Sequence, residues 1–256
     1  MTDIPASQPQ QASAWLAPLR VLYGVYALAV LVILALLALA CILLLPTLRW
    51  RRTAARNAAR ASLFLTGMPV NLRGASMIPN NQCVVVANHA SYLDGIVFTA
   101  VLPPRFGFVI KREMDSVPLA GLLLRRIGSE FVDRSNRNKS ASDARRVLRT
   151  ASNGHSLVFF PEGTFANEPG LLKFHTGAFA IAARAGCPIV PAIIRGTRHV
   201  LPGSRFLPLP GPILVEFLNP ITTNVTNGEQ SAIELRDRSR QRILEELGEP
   251  DLSNAA

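Results

Sequence analysis

The chain has 256 residues, with 27 Lys and Arg against 17 Asp and Glu, for a formal charge of +10. Hydrophobic residues make up 49% and charged residues only 17%, which excludes a largely disordered chain, and three cysteines are too few for a disulfide scaffold. A basic, apolar-rich chain leaves a nucleic acid or an anionic membrane as its large partner.

Residues 1–18 read as a polar tail, with Pro5 and Pro9 in its first part. Residues 19–48 read as a membrane anchor. No charge stands between Arg20 and Arg49, and Ala27 to Leu45 is Ala, Leu, Val, Ile and Cys throughout. A bilayer span needs about 20 apolar residues, and the polar stripe of a surface helix is missing. A signal peptide would have a basic front end and a shorter apolar run. A single span fits, and so does a segment that enters and leaves one leaflet together with the next helix.

Residues 49–68 read as a basic amphipathic helix. Arg49, Arg51, Arg52, Arg56 and Arg60 crowd the far side of the apolar run, which by the positive-inside rule sets the remaining chain in the cytoplasm. Arg52, Arg56 and Arg60 recur every four residues and share a helical face. Trp50, Ala54, Ala58, Ala61 and Leu65 occupy the opposite one. The expectation is an interfacial helix with its arginines on lipid phosphates; an amphipathic helix packed on the domain is the alternative. This placement of charge favours membrane lipids as partner, and no nucleic acid. Cys41, Cys83 and Cys187 have no metal-ligand spacing and read as small apolar residues.

Residues 69–256 read as one α/β domain with a mainly parallel central sheet flanked by helices. Cys83 to Ala87, Phe106 to Ile110, Ser156 to Phe160, Ile189 to Ile194 and Ile213 to Phe217 are short apolar runs bounded by turn residues, as in strands buried on both faces. Helical patterns fall at Ser140 to Ala151, Thr176 to Ala185 and Glu229 to Leu247, the last with Ile233, Ile243, Leu244 and Leu247 on one apolar stripe. Pro202 to Pro212 is a Pro/Gly-rich surface loop.

Sites in such sheets gather at strand C-terminal ends. Val84 to Ala87 runs straight into Asn88, His89, Ala90, Ser91, Tyr92, Leu93 and Asp94. If a turn and a first helical turn intervene, Asp94 can accept the Nδ1 proton of His89 and leave Nε2 as a base. The same spacing fits a strand-end histidine and a helix-start aspartate with no joint role. The chain has no Gly-x-Ser-x-Gly elbow, so a base here would act on an external hydroxyl. Phe160-Pro161-Glu162-Gly163-Thr164 ends another strand, and Gly128 to Arg134 closes on an arginine able to bind phosphate.

Taken together, Asn88-His89 with Asp94, Gly128 to Arg134, Phe160 to Thr164 and Val190-Pro191 resemble, in order and spacing, the four blocks of the glycerolipid acyltransferase family. The likeness covers roughly residues 70–221 and makes 69–256 an acyltransferase domain. It implies transfer of an acyl group from coenzyme A or acyl carrier protein to the hydroxyl of a lysophospholipid, 1-acyl-sn-glycerol-3-phosphate first among them. It implies catalytic His89 and Asp94, acceptor binding by Arg134, Glu162, Gly163 and Thr164, and neither cofactor nor metal. Asn88 and Pro191 match as supporting residues.

Two positions depart from the family pattern. Phe165 stands where an arginine is common, and His175 where a lysine is common. Each loss removes a charge-assisted hydrogen bond worth about 1.5–3 kcal/mol to a phosphomonoester. Lys173, Lys111, Arg112 or Arg195 could supply the charge instead. An acceptor such as a lyso-ornithine lipid, or a non-catalytic membrane lipid-binding role, is the competing expectation.

Overall fold

The computed structural model describes residues 17–133, 137–222 and 228–253. Its strands are β1 (Val70–Arg73), β2 (Val84–Ala87), β3 (Phe106–Lys111), β4 (Glu130–Val132), β5 (Ser156–Phe159), β6 (Ile189–Arg195) and β7 (Ile213–Phe217). The helices are α1 (Ala17–Leu44), α2 (Leu48–Leu65), α3 (Asp94–Val101), α4 (Ala120–Arg126), α5 (Arg137–Ser152), α6 (Gly177–Ala185), α7 (Thr197–Val200) and α8 (Gly228–Leu247). The expected α/β class is the observed one: the strands make one seven-stranded sheet in the order β1-β7-β6-β2-β5-β3-β4.

Five strands run parallel, while β7 pairs antiparallel with β6 and carries β1 with it. An apolar run carries no direction, so the reversal was invisible in the sequence. The short strands β1 and β4 were not singled out as strands either: β1 keeps only Val70 half-buried and β4 buries only Phe131.

The sheet divides two apolar cores, and β2 feeds both. Val85 and Ala87 pack with Ala27, Leu63, Val97 and Phe98 on the side of α1, α2 and α3. Val84 and Val86 pack with Val147, Phe179, Ala182 and Ile243 on the side of α5, α6 and α8. Burial on both faces is why β2 reads as an unbroken apolar run. Of the α8 stripe, Ile243 and Leu247 are buried, but Ile233 is exposed.

The arginine face of α2 departs from the interfacial expectation, because it packs on the domain. Arg52 donates to Ile127 O (2.8 Å), Arg105 O (2.9 Å) and Gly128 O (3.3 Å). Arg60 donates to Ala100 O at 2.8 Å, and Arg56 to Ala100 O and Val101 O at 3.3 and 3.4 Å. These last carbonyls belong to the end of α3, where helix geometry leaves them without helical donors and the macrodipole favours a cation. The four-residue period identified the face but not what it would meet.

α1 is laid along the domain rather than standing away from it. Near its start, the Tyr23 hydroxyl donates to Thr66 O (2.7 Å), and Ala27 enters the core beside α2. Near its end, Ala38 and Ile42 pack with Ala55 and Ile127. Its outer side is apolar and exposed, including Leu22, Val25, Val32, Leu36 and Leu37.

Candidate active site

Chain geometry at the end of β2 brings His89 to Asp94. Asn88 first pins the strand end to β6: its Nδ2 donates to Ile194 O (3.0 Å) and its Oδ1 accepts from Ile194 N–H (2.8 Å). The chain then turns through Ala90 to Leu93, and Asp94 opens α3. Asp94 is fully buried, and its Oδ2 accepts from Ala90 N–H (2.7 Å) and Ser91 N–H (3.0 Å). The same oxygen lies 2.8 Å from His89 Nδ1. Two backbone N–H donors and the imidazole Nδ1 therefore converge on one carboxylate oxygen. With Nδ1 committed to Asp94, Nε2 is the nitrogen left for chemistry, and the His89 side chain is 20% exposed.

Two rings hold the imidazole in place. Phe160 stacks on it with centroids 4.5 Å apart, and Phe165 meets it edge-on at 4.7 Å. Tyr92 meets Phe165 edge-on at 4.9 Å and is itself exposed. Phe165, noted in the sequence as a missing cation, is thus the wall of the histidine pocket. The parts played by Phe160 and Tyr92 had no sequence signal beyond their places at strand ends.

Glu162 sits behind this pair, only 4% exposed. Its Oε1 accepts the His89 N–H at 2.6 Å and its Oε2 the Leu172 N–H at 2.9 Å. Burial pushes its carboxyl up to about 7, outweighing the two backbone donors and nearby Arg198. With both oxygens occupied by backbone, Glu162 holds the turn at His89. Gly163 follows in a left-handed turn at φ 77°, and Thr164 is exposed beside it.

The segment that Glu162 grips is itself held from α8 and beyond. Arg240 donates to Leu171 O (2.8 Å) and Leu172 O (3.0 Å). Gly170 N–H donates to Glu249 at 2.7 Å, Leu171 N–H to Pro250 O at 2.9 Å, and Leu252 N–H returns to Leu171 O at 3.0 Å.

Arg134 lies outside the described residues. The chain leading to it is fixed by Asp143, which accepts from Arg112 (2.6 and 2.8 Å), from Arg146 (2.9 Å) and from Asp133 N–H (2.9 Å). Arg112 is thereby committed elsewhere. Arg195 is committed to the α8 carbonyls of Glu246 and Leu247, and Lys111 pairs with Glu113. Among the described residues no group of three or more His, Cys, Asp or Glu could hold a metal ion.

A family model described as "Acyltransferase" matches residues 69–195. The chain is 30% identical over 166 residues to a 1-acyl-sn-glycerol-3-phosphate acyltransferase of Cocos nucifera, covering 64% of this chain and 54% of that protein. It is 28% identical over 196 residues to the protein of that name from Saccharomyces cerevisiae, covering 75% and 64%. It is 34% identical over 163 residues to the alpha protein of that name from Mus musculus, covering 62% and 57%. The matched region thus spans between about half and two thirds of these curated relatives. Its fold is that of the crystal structure of the 1-acyl-sn-glycerophosphate acyltransferase from Thermotoga maritima. The TM-score is 0.72 at 21% identity, over 90% of this chain and 98% of the other.

Proposed function

This chain belongs to the acyltransferase family, and from that premise we propose that it moves a fatty acyl group from an acyl thioester to the free hydroxyl of a lysophospholipid, 1-acyl-sn-glycerol-3-phosphate being the leading acceptor and phosphatidic acid the product. The observation that carries this reading is the His89 Nδ1 to Asp94 Oδ2 contact of 2.8 Å at a strand end. Asp94 fixes the tautomer, and Nε2 takes the hydroxyl proton as the oxygen attacks the thioester carbon. The C–S bond then breaks, and the departing thiolate takes that proton back from the imidazolium. A positioned histidine contributes about 10²–10⁴-fold to such a step. Glu162 acts as a positioning residue through the His89 amide. The donor is acyl-coenzyme A or acyl carrier protein.

The exposed apolar side of α1 and its contacts with the domain at both ends support monotopic seating in the membrane, and the arginines that follow α1 favour its cytoplasmic face. A bilayer-resident acceptor then reaches His89 without leaving the lipid. Phe165 favours a second reading of the acceptor. It places an aromatic edge beside the base where a cation would grip a phosphomonoester, so another lyso-lipid, such as a lyso-ornithine lipid, fits this mouth.

Incubation of the purified protein with labelled acyl thioesters and a panel of lyso-lipids, read by mass spectrometry, tests both readings. The leading one expects phosphatidic acid as the main product; preference for an acceptor without a phosphomonoester supports the second. Acyl transfer in His89→Ala should fall about 10²–10⁴-fold while lipid binding persists, and undiminished turnover would refute the base.

A further inference from the structure

The loop from Leu201 to Pro208 has no part in the chemistry above, yet it is fastened at three places. At its base, Ser91 Oγ donates to Leu201 O (2.6 Å), and Leu209 N–H donates to Val200 O (2.8 Å). That serine belongs to the turn between His89 and Asp94. Further along, Gly203 abuts the ring beside the base: a Cβ there would stand 2.9 Å from Phe165 Cε2. Past the tip, Leu207 abuts α1: a Cβ on Gly24 would stand 2.7 Å from Leu207 Cβ. The loop therefore bridges the catalytic pocket and the apolar helix.

At its tip stands Phe206, 90% exposed, the most exposed large hydrophobic side chain among the described residues. Arg205 beside it is also exposed and makes no ion pair among those residues. The same turn of α1 is tied to the end of α2, where Tyr23 and Tyr26 donate to Thr66 O and Leu65 O at 2.7 and 2.8 Å. There Phe64 is 84% exposed. The two most exposed phenylalanines thus adjoin one turn of a helix whose outer residues Leu22 and Val25 are apolar and exposed too. A cation next to an aromatic tip, continuous with an apolar helix face, has the chemistry of an anionic bilayer surface.

We infer that the Leu201–Pro208 loop is a second membrane-inserting element, with Phe206 in the acyl region of an anionic bilayer and Arg205 on a lipid phosphate. It rests on the reading of α1 as a membrane anchor. Seated this way, the loop sets the Phe165 and Tyr92 wall, and with it His89, at the bilayer surface where an acceptor lies.

The test uses the full chain with Cys41→Ala and Phe206→Cys, carrying a nitrobenzoxadiazole label, in proteoliposomes of phosphatidylcholine and phosphatidylglycerol. Cys83 and Cys187 are buried and stay unlabelled. A label at Glu234→Cys on α8, in the opposite helical layer, is the reference. The label at 206 should be quenched by doxyl lipid and shielded from aqueous iodide several-fold more than the one at 234. Equal iodide quenching at the two positions, in protein that floats with the vesicles, overturns the loop while sparing the anchor. Failure to float overturns both. Phe206→Asp should lower the ratio of turnover on vesicle-embedded acceptor to turnover on monomeric short-chain acceptor about tenfold, the order expected for losing one buried aromatic ring. An unchanged ratio overturns the proposal.

Discussion

The two helical layers differ in the share of carboxylates among their arginines' partners. On the side of α1, α2 and α3, Arg51, Arg52, Arg56, Arg60 and Arg126 all donate to backbone carbonyls. No carboxylate is nearby in sequence, for the chain has no Asp or Glu between Asp3 and Asp94. On the side of α5 and α8, Arg112, Arg146, Arg238 and Arg240 pair with Asp143, Glu130, Glu234 and Asp251. α1 and α2 carry no acid to repel anionic lipid, and the arginines of α2 bond neutral acceptors. A layer of ion pairs belongs in water, where mixed charge is well solvated. The site lies where the layers meet: His89 and Asp94 on one side, Glu162 gripped through Leu172 and Arg240 from the other.

The largest effect tests the first side. Asp94→Asn should cut acyl transfer about 10²–10⁴-fold, because an amide cannot both orient Nδ1 and stabilise the imidazolium. Steady-state kinetics with a vesicle-embedded acceptor measure it, and a loss under fivefold would contradict the orienting role. Arg52→Met comes next. It keeps the stem and removes the donors to three carbonyls, which should cost about 3 kcal/mol of unfolding free energy. Denaturant titration reads that loss, and a change within error would show that the carbonyls are satisfied without it.

Glu162→Gln probes the meeting point. Because burial raises the carboxyl from 4.5 to about 7, the folded state holds that proton more tightly than the unfolded state. The stabilisation is complete below about 4.5 and is lost as the pH rises through about 7. The wild type should therefore lose about 3 kcal/mol relative to the Glu162→Gln variant over that interval. Parallel stability curves would show no raised carboxyl. The amide also presents a donor to one of two backbone N–H groups, so turnover should fall about tenfold. The smallest effect separates the layers directly. Raising salt from 0.1 to 1 M should weaken exposed ion pairs by about 1 kcal/mol or less. Hydrogen exchange of α8 amides should quicken slightly while α2 amides hold; equal loosening would dissolve the contrast.

The strands buried on both faces were legible because β2, β5 and β6 are unbroken apolar runs between turn residues. The His89 and Asp94 pairing was legible because five residues suffice for a turn and a helix start. What escaped depends on distant partners. The arginine period of α2 gives a face, but its partners at Arg105 and Ile127 lie 53 and 75 positions away. Glu162 reads as an open strand-end carboxylate until His89, 73 positions earlier, and Leu172 claim its oxygens. Phe165 shows a missing charge in the sequence, and only packing shows the ring against His89.

The clasp between Gly170–Leu172 and Glu249–Leu252 has a consequence for the order of assembly. It joins residues 79 positions apart, and contacts of such separation close slowly and late in folding. The apolar helix is synthesised well before α8. The segment that steadies Glu162, and through it the His89 amide, waits for α8 and the residues after it. The turn at His89 therefore gains this support only when the clasp shuts, after the apolar helix has been made.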